Sequence, residues 1–263
     1  MPILEPFWTV SAFLLGAVIG SFLNVVIVRV PMGDSIVHPP SQCPDCGNPI
    51  RFYDNIPMLG YLFLGGRCRD CAGRISFRYP FIEFLTACLS LSLYKQFGLA
   101  PPFLVFFPYC CAMIVVFWID LDHMIIPDVI SLNGIAVGVI VSAFGLIPDM
   151  NIKTSLLGTL FGGVILYLPA IIYEKIRGSE GLGGGDIKLL AMIGAFSGVY
   201  GVVFVLFCAS LVGSAIAAAG IAVKGSSAKT PIPFGPFLTT AAVAYVFFGQ
   251  QVIGHFFALS LVF

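Results

Sequence analysis

A series of long apolar runs, nearly free of charge, limits what this chain can fold into. The first, Phe7 to Val28, contains no ionisable residue. As an α-helix it would rise about 33 Å, enough for a hydrocarbon core of about 30 Å. Further runs cover approximately residues 80–97, 103–119, 129–147, 155–173, 187–197, 199–223 and 237–263. With 59% hydrophobic and 10% charged residues over 263 positions, the composition excludes an ordinary soluble domain. The expected fold is an all-α polytopic membrane protein of about eight transmembrane helices, the sixth short. Only Glu5 carries charge ahead of the first run, and there is no basic start, so this run is expected to be retained rather than cleaved as a signal peptide.

Basic residues bias loops toward the cytoplasm. With the N-terminus outside, eleven of the 13 Lys and Arg fall on the cytoplasmic side: Arg29, Arg51, Arg67, Arg69, Arg74, Arg78, Lys175, Arg177, Lys188, Lys224 and Lys229. Only Lys95 and Lys153 fall outside. That asymmetry predicts an N-out orientation.

Residues 30–79 form the single sizeable polar segment, too long for a turn between helices and therefore a small cytoplasmic module. Cys43-Pro-Asp-Cys46 and Cys68-Arg-Asp-Cys71 give two CxxC pairs separated by 21 residues, near the spacing of structural zinc sites. Gly47 suits a backbone folding back around a metal, and zinc would let so short a segment hold shape without a large core. Two disulfides and a redox CxxC are the alternatives; a reducing cytoplasm disfavours the first and the presence of two pairs the second. Cys88, Cys110, Cys111 and Cys208 lie in apolar runs and read as small buried hydrophobes.

Charge at membrane depth points to function. Asp120 closes the third run directly after Val-Val-Phe-Trp-Ile, and Asp186 follows Gly183-Gly184-Gly185 ahead of another apolar run. Around Asp120, Asp122 and His123 read as wetted loop residues and Asp128 as the N-cap of the next helix. The glycines before Asp186 permit positive φ or close approach of a substrate backbone, and a hinge with a capping aspartate is an equally simple reading. Two aspartates at one membrane face could share a proton and activate a water. Lys188 could favour their anionic form or serve as a positive-inside anchor. Ser21, Asn24 and Glu83 could line a path or make interhelical hydrogen bonds. Arg29, Arg74 and Arg78 read as anchors and His255 as structural. The small-residue pairs Gly16/Gly20, Gly134/Gly138, Gly158/Gly162 and Gly194/Gly198 predict close helix packing.

Taken in order, GSFLNVVIVRVP at 20–31, CPDCGNPI at 43–50, GGRCRDCAGRIS at 65–76, RYPFIEFLT at 78–86, IDLDHMIIPD at 119–128, GGGDIKLLAMIGAF at 183–196 and PFGPFL at 233–238 resemble the bacterial type IV prepilin peptidases. These are leader peptidase/N-methyltransferases of the GxGD aspartic class. The resemblance implies that Asp120 and Asp186 are catalytic, Asp120 being preferred to Asp122 because it stands seven residues before Pro127. It implies zinc on Cys43, Cys46, Cys68 and Cys71. It also implies cleavage of the basic leader of prepilins or type II secretion pseudopilins at the cytoplasmic face of the inner membrane, and methylation of the new amine from S-adenosylmethionine. No site for that donor is legible, and no nucleic-acid partner is expected. The corresponding division is a first span at 1–29, the zinc module at 30–79 and a transmembrane peptidase domain at 80–263.

Two other classes compete. A transporter or channel would use the aspartates for a cation or protons, but would place them near the midplane of repeated halves. Here they lie near one face and no repeat is present. A structural assembly subunit would leave both replaceable.

Overall fold

The computed structural model describes residues 5–178, 183–224 and 232–260, apart from the side chains at 177, 224, 250 and 253–260. Lys229, and the side chains of Arg177, Lys224 and His255, all assigned readings above, lie outside the described residues. Within them the regular structure is helical, and the extended pairings are two isolated antiparallel bridges, Gln42 with Pro49 and Arg67 with Arg74. Four helical segments are long and apolar enough to cross a membrane, Glu5–Met32, Pro101–His123, Ile152–Ile176 and Gly184–Val223. Asp128–Ala143 and Gly235–Gly249 are shorter apolar helices. The chain divides into two compact units, Met1–Cys111 and Ala112–Phe263.

In the first unit, α1 (Glu5–Arg29) packs on α3 (Arg78–Phe97), with the short α2 (Leu59–Phe63) inside the polar segment between them. A Cβ on Gly16 would stand 2.6 Å from the Ala87 Cα, and one on Gly20 2.7 Å from the Glu83 Cα. No larger residue fits at either place, as the small-residue spacing predicts. Polar groups close the same seam: Ser90 donates to the Ala12 carbonyl at 2.7 Å, and Asn24 to the Tyr79 carbonyl at 3.2 Å. Asn24 thus takes the interhelical role of its two readings.

Helix α4 (Pro101–His123) carries Asp120 in its last turn. In the second unit, α5 (Asp128–Ala143) and α6 (Ile152–Arg177) both pack on α7 (Gly184–Lys224), as does α8 (Gly235–Ser260). Gly158 and Gly194 face each other backbone to backbone, and a Cβ on Gly138 would lie 2.7 Å from that of Ala195. The 41 residues of α7 are not one rod, because the backbone leaves helical geometry at Gly198 (φ 66°, ψ −172°). That residue falls between the two runs read from the sequence. A break at membrane depth frees carbonyls that lipid cannot satisfy. Three hydroxyls supply donors: Ser155 and Ser142 reach the Ala195 carbonyl at 2.8 and 3.4 Å, and Tyr245 the Ser197 carbonyl at 3.4 Å.

Candidate active site and metal centre

The polar segment is built from two similar turns. In the first, the Gly47 amide donates to the Cys43 carbonyl at 2.9 Å and the Cys43 amide to the Asn48 carbonyl at 2.9 Å. In the second, the Ala72 amide donates to the Cys68 carbonyl at 3.0 Å and the Cys68 amide to the Gly73 carbonyl at 2.8 Å. Both turns need a left-handed residue; Gly47 (φ 71°) provides it in one and Ala72 (φ 57°) in the other. Each turn thereby presents two thiols on one side. The Sγ atoms of Cys43, Cys46, Cys68 and Cys71 all lie within 4.8 Å of one another, and Cys43 and Cys71 are 3.8 Å apart. Four sulfurs at about 2.3 Å from a tetrahedral centre stand about 3.8 Å apart, so this donor set could hold a metal ion. All four are free cysteines in this structure. Amide hydrogen bonds from Cys71 and Asp70 bring the Cys68 thiol down to about 7. Cys71 is pushed up to about 12 by desolvation and by its three sulfur neighbours, against the opposing pull of the Gly73 amide. A divalent cation would draw the proton from each thiol.

The segment is tied to the helices by a carboxylate. Glu83 on α3 is buried, and its Oε2 accepts the Met58 amide at 2.6 Å, just where Met58 adopts a positive φ of 59°. Ser21 on α1 bonds the same side chain. Glu83 and Ser21 therefore join both helices to the polar segment, the hydrogen-bonding role of their two readings.

Both aspartates belong to the second unit. Asp120 is 5% exposed whereas Asp122 and His123 are exposed, so burial separates the two acids that sequence position leaves adjacent. Helix α4 ends because Met124 turns left-handed (φ 55°), its amide closing on the Asp120 carbonyl at 2.9 Å. The Asp120 Oδ2 accepts the amide of Gly235, the first residue of α8, at 3.0 Å. First-turn amides have no intrahelical partner and carry the positive end of the helix dipole. Asp120 thus caps α8 from another helix, and a Cβ on Gly235 would stand 2.5 Å from that carboxylate oxygen.

Asp186 sits in the first turn of α7, its amide donating to the Gly183 carbonyl at 3.1 Å. Asp120 lies within its electrostatic reach. Its Oδ1 is buried with no hydrogen-bond partner among the described residues. Neither Gly184 nor Gly185 uses the positive φ that glycine permits. Gly185 instead admits Ile126, whose Cβ would be 2.9 Å from an added methyl. The loop after α4 is thereby laid against the start of α7.

Two readings from sequence are corrected. Asp128 is not an N-cap: Pro127 occupies that position and no side chain caps the helix. Asp128 instead accepts both hydrogen bonds of Lys188, at 2.7 and 2.8 Å. That pairing directs the Lys188 charge to Asp128 and away from a role on the two aspartates. The Gly235 contact had no counterpart in the sequence reading. Its signal was a glycine and proline opening an apolar run in PFGPFL, which marks a helix start but not what caps it.

Comparison with known proteins places the chain. Residues 14–97 match the bacterial peptidase A24 N-terminal domain and residues 107–218 the type IV leader peptidase family. A prepilin leader peptidase/N-methyltransferase of Pseudomonas aeruginosa is 34% identical over 93% of this chain and 92% of its own. Proteins of the same description from Pseudomonas putida (34%, over 95% and 94%) and Aeromonas hydrophila (34%, over 91% and 90%) are similarly related. No solved structure matches. The chain joins apolar helices long enough to cross a membrane, a buried Asp120 with a half-buried Asp186 in one unit, and a four-cysteine cluster in the other. By these matches, the chain belongs to the type IV leader peptidase family.

Proposed function

We propose that this protein cleaves the basic leader of prepilins or type II secretion pseudopilins and methylates the amine it releases. The observation that carries the peptidase reading is that Asp120, anchored by an amide, lies within electrostatic reach of Asp186, which keeps an unspent buried oxygen. We assign the general base to Asp120, whose carboxylate the Gly235 amide holds in one position, and the shared proton to Asp186. Asp120 takes a proton from water as the water oxygen attacks the scissile carbonyl carbon. Asp186 meanwhile hydrogen-bonds the carbonyl oxygen. Collapse breaks the C–N bond, and the proton on Asp120 passes to the leaving amine.

Zinc is the metal that best suits four thiolates in a closed tetrahedral site, where it would hold the module in shape. The relatives' shared description, which names an N-methyltransferase, supports the methyl transfer, and S-adenosylmethionine is the donor that the transfer would use. The apolar helices support an inner-membrane location. Eight spans with the N-terminus outside follow from the apolar runs and the basic-residue asymmetry, with the two aspartates in the 80–263 segment at the cytoplasmic boundary. Purified protein incubated with a prepilin and S-adenosylmethionine tests the reading by product mass. The leader and a mature chain heavier by one methyl group are expected; intact prepilin after prolonged incubation would contradict it.

A further inference from the structure

The polar segment leaves an apolar patch uncovered at the start of α3. Phe63, the last residue of α2, is 82% exposed, and Phe77, the N-cap residue of α3, is 68% exposed. Leu62, next to Phe63 in α2, is exposed as well. Ring contacts join the two elements: Tyr61 meets Phe77 edge-on with centroids 6.3 Å apart, and Phe77 lies 6.5 Å from Phe81. Phe77, Phe81 and Phe84 recur at helical spacing and the last two are also exposed, so the outward apolar face of α3 continues past its N-terminus onto the polar segment. The level of this patch follows from α1. Asn24 bonds the Tyr79 carbonyl, which sets the start of α3 beside a residue five positions, about 7.5 Å, before the end of α1 (Glu5–Arg29). Phe77 and the α2 residues against it therefore stand near the last apolar turn of a membrane-spanning helix, the height at which aromatic side chains meet lipid headgroups.

The chain between Phe63 and Phe77 carries two cations without counter-charge. Arg67 and Arg74 face each other across an antiparallel bridge. The Ile75 amide reaches the Gly66 carbonyl at 2.8 Å and the Cys68 amide the Gly73 carbonyl at 2.8 Å, so the arginines hold the non-hydrogen-bonded position between them. There the Cα atoms stand about 4.5 Å apart and both side chains leave on one face. Both arginines are exposed, and among the described residues neither guanidinium has an ion pair or a side-chain hydrogen bond. Acids of the segment are engaged elsewhere, Asp54 with Arg69 and Asp70 with Asn48. Like charges set side by side repel unless an anion joins them, and a phosphate offers acceptor oxygens to two guanidinium forks. Arg74 stands three residues before Phe77, no more than about 11 Å along the chain. A free phosphate would leave the apolar patch unused, whereas a phospholipid supplies both the anion and the acyl chains.

We propose that Arg67 and Arg74 bind the phosphate of an anionic phospholipid while Leu62, Phe63 and Phe77 enter the acyl region beside it. Helix α2 is then an interfacial anchor that seats the four-cysteine module on the membrane surface. The bridge that aligns the arginines shares its Cys68–Gly73 bond with the second cysteine turn, so the same backbone serves the lipid contact and the thiols. The proposal goes beyond the peptidase and methyl-transfer readings and requires only that α1 and α3 span the bilayer.

Two measurements on the full-length protein test it. In nanodiscs of phosphatidylcholine and phosphatidylglycerol, a benzophenone side chain put in place of Phe63 is irradiated and its adducts are mapped by mass. Lipid adducts are expected. Adducts only with residues 112–263 or with a second copy of the chain, or none with lipid, overturn the anchor. In detergent, labelled phosphatidylglycerol is expected to bind more tightly than labelled phosphatidylcholine. The double variant Arg67→Gln/Arg74→Gln should weaken phosphatidylglycerol binding by about thirtyfold, as for two arginines at a membrane surface, and Arg67→Lys/Arg74→Lys should retain most of it. Equal binding of the two lipids by the wild-type protein, or undiminished phosphatidylglycerol binding by the folded glutamine variant, overturns the phosphate site. Displacement of phosphatidylglycerol by an equal concentration of inorganic phosphate would assign the arginines to a free anion and likewise overturn it. The comparison of lipids uses the wild-type protein, so misfolding of the variant would not shelter the proposal.

Discussion

Gly235→Ala isolates the contact that fixes Asp120. The added methyl carbon would lie 2.5 Å from the Asp120 Oδ2, 3.0 Å from Cγ and 3.3 Å from Cβ. Non-bonded heavy atoms rest at about 3.5 Å, so the carboxylate must retreat by about 1 Å. Such a retreat lengthens the Gly235 amide bond and moves the general base off the attacking water. A displacement of about 1 Å in a catalytic group costs about a hundredfold in rate. The substitution lies in the first turn of α8, where alanine is a good helix former, so the helix itself should persist. Single-turnover cleavage of a fluorescent prepilin in detergent is the assay, with unfolding temperature as the control. A fall of about a hundredfold in the cleavage rate is expected with little change in unfolding temperature. Cleavage within about threefold of wild type, by a folded variant, would refute the idea that the amide positions Asp120.

Three further outcomes follow from the same geometry. Cys46→Ser or prolonged chelation should release a stoichiometric metal, read by elemental analysis, and should open residues 40–75 to proteolysis, because the module is held by its ligands. Lys188→Ala should lower stability by no more than about 1 kcal/mol and leave cleavage intact, since the partners in its ion pair with Asp128 are 40% and 56% exposed; a large loss of activity would return Lys188 to the aspartate pair. Reporters after residues 55 and 180 should be cytoplasmic and those after 99 and 150 external, and external labelling at 55 in intact cells would reverse the orientation.

Local spacing made much of this legible. Glycines four apart announced where backbones touch, and Gly16, Gly20, Gly158 and Gly194 all lie at such contacts. Two CxxC turns announced a cluster, because each turn fixes its own pair of thiols whatever the rest of the chain does. What was not legible depends on which helix end meets which side chain. Asp128 looked like a cap because it precedes an apolar run, yet Lys188, 60 residues away, claims its carboxylate. Gly235 lies 115 residues from Asp120, and no periodicity encodes a cap supplied by another helix. The triple glycine before Asp186 was open to several readings, and the approach of Ile126 to Gly185 in the first turn of α7 depends on a partner 59 positions away that local spacing does not name.

The central claim is that Asp120 and Asp186 act as one acid/base unit. Asn substitution keeps the volume of each side chain but removes the proton chemistry. The decisive measurement is the rate of leader release, by mass, for Asp120→Asn, Asp186→Asn and the double variant, each verified as folded in the membrane. Members of one catalytic unit are non-additive, so each single variant should lose several orders of magnitude, roughly as much as the double. Asp122→Asn should retain most of the wild-type rate. Leader release near the wild-type rate by either Asp120→Asn or Asp186→Asn would contradict the account.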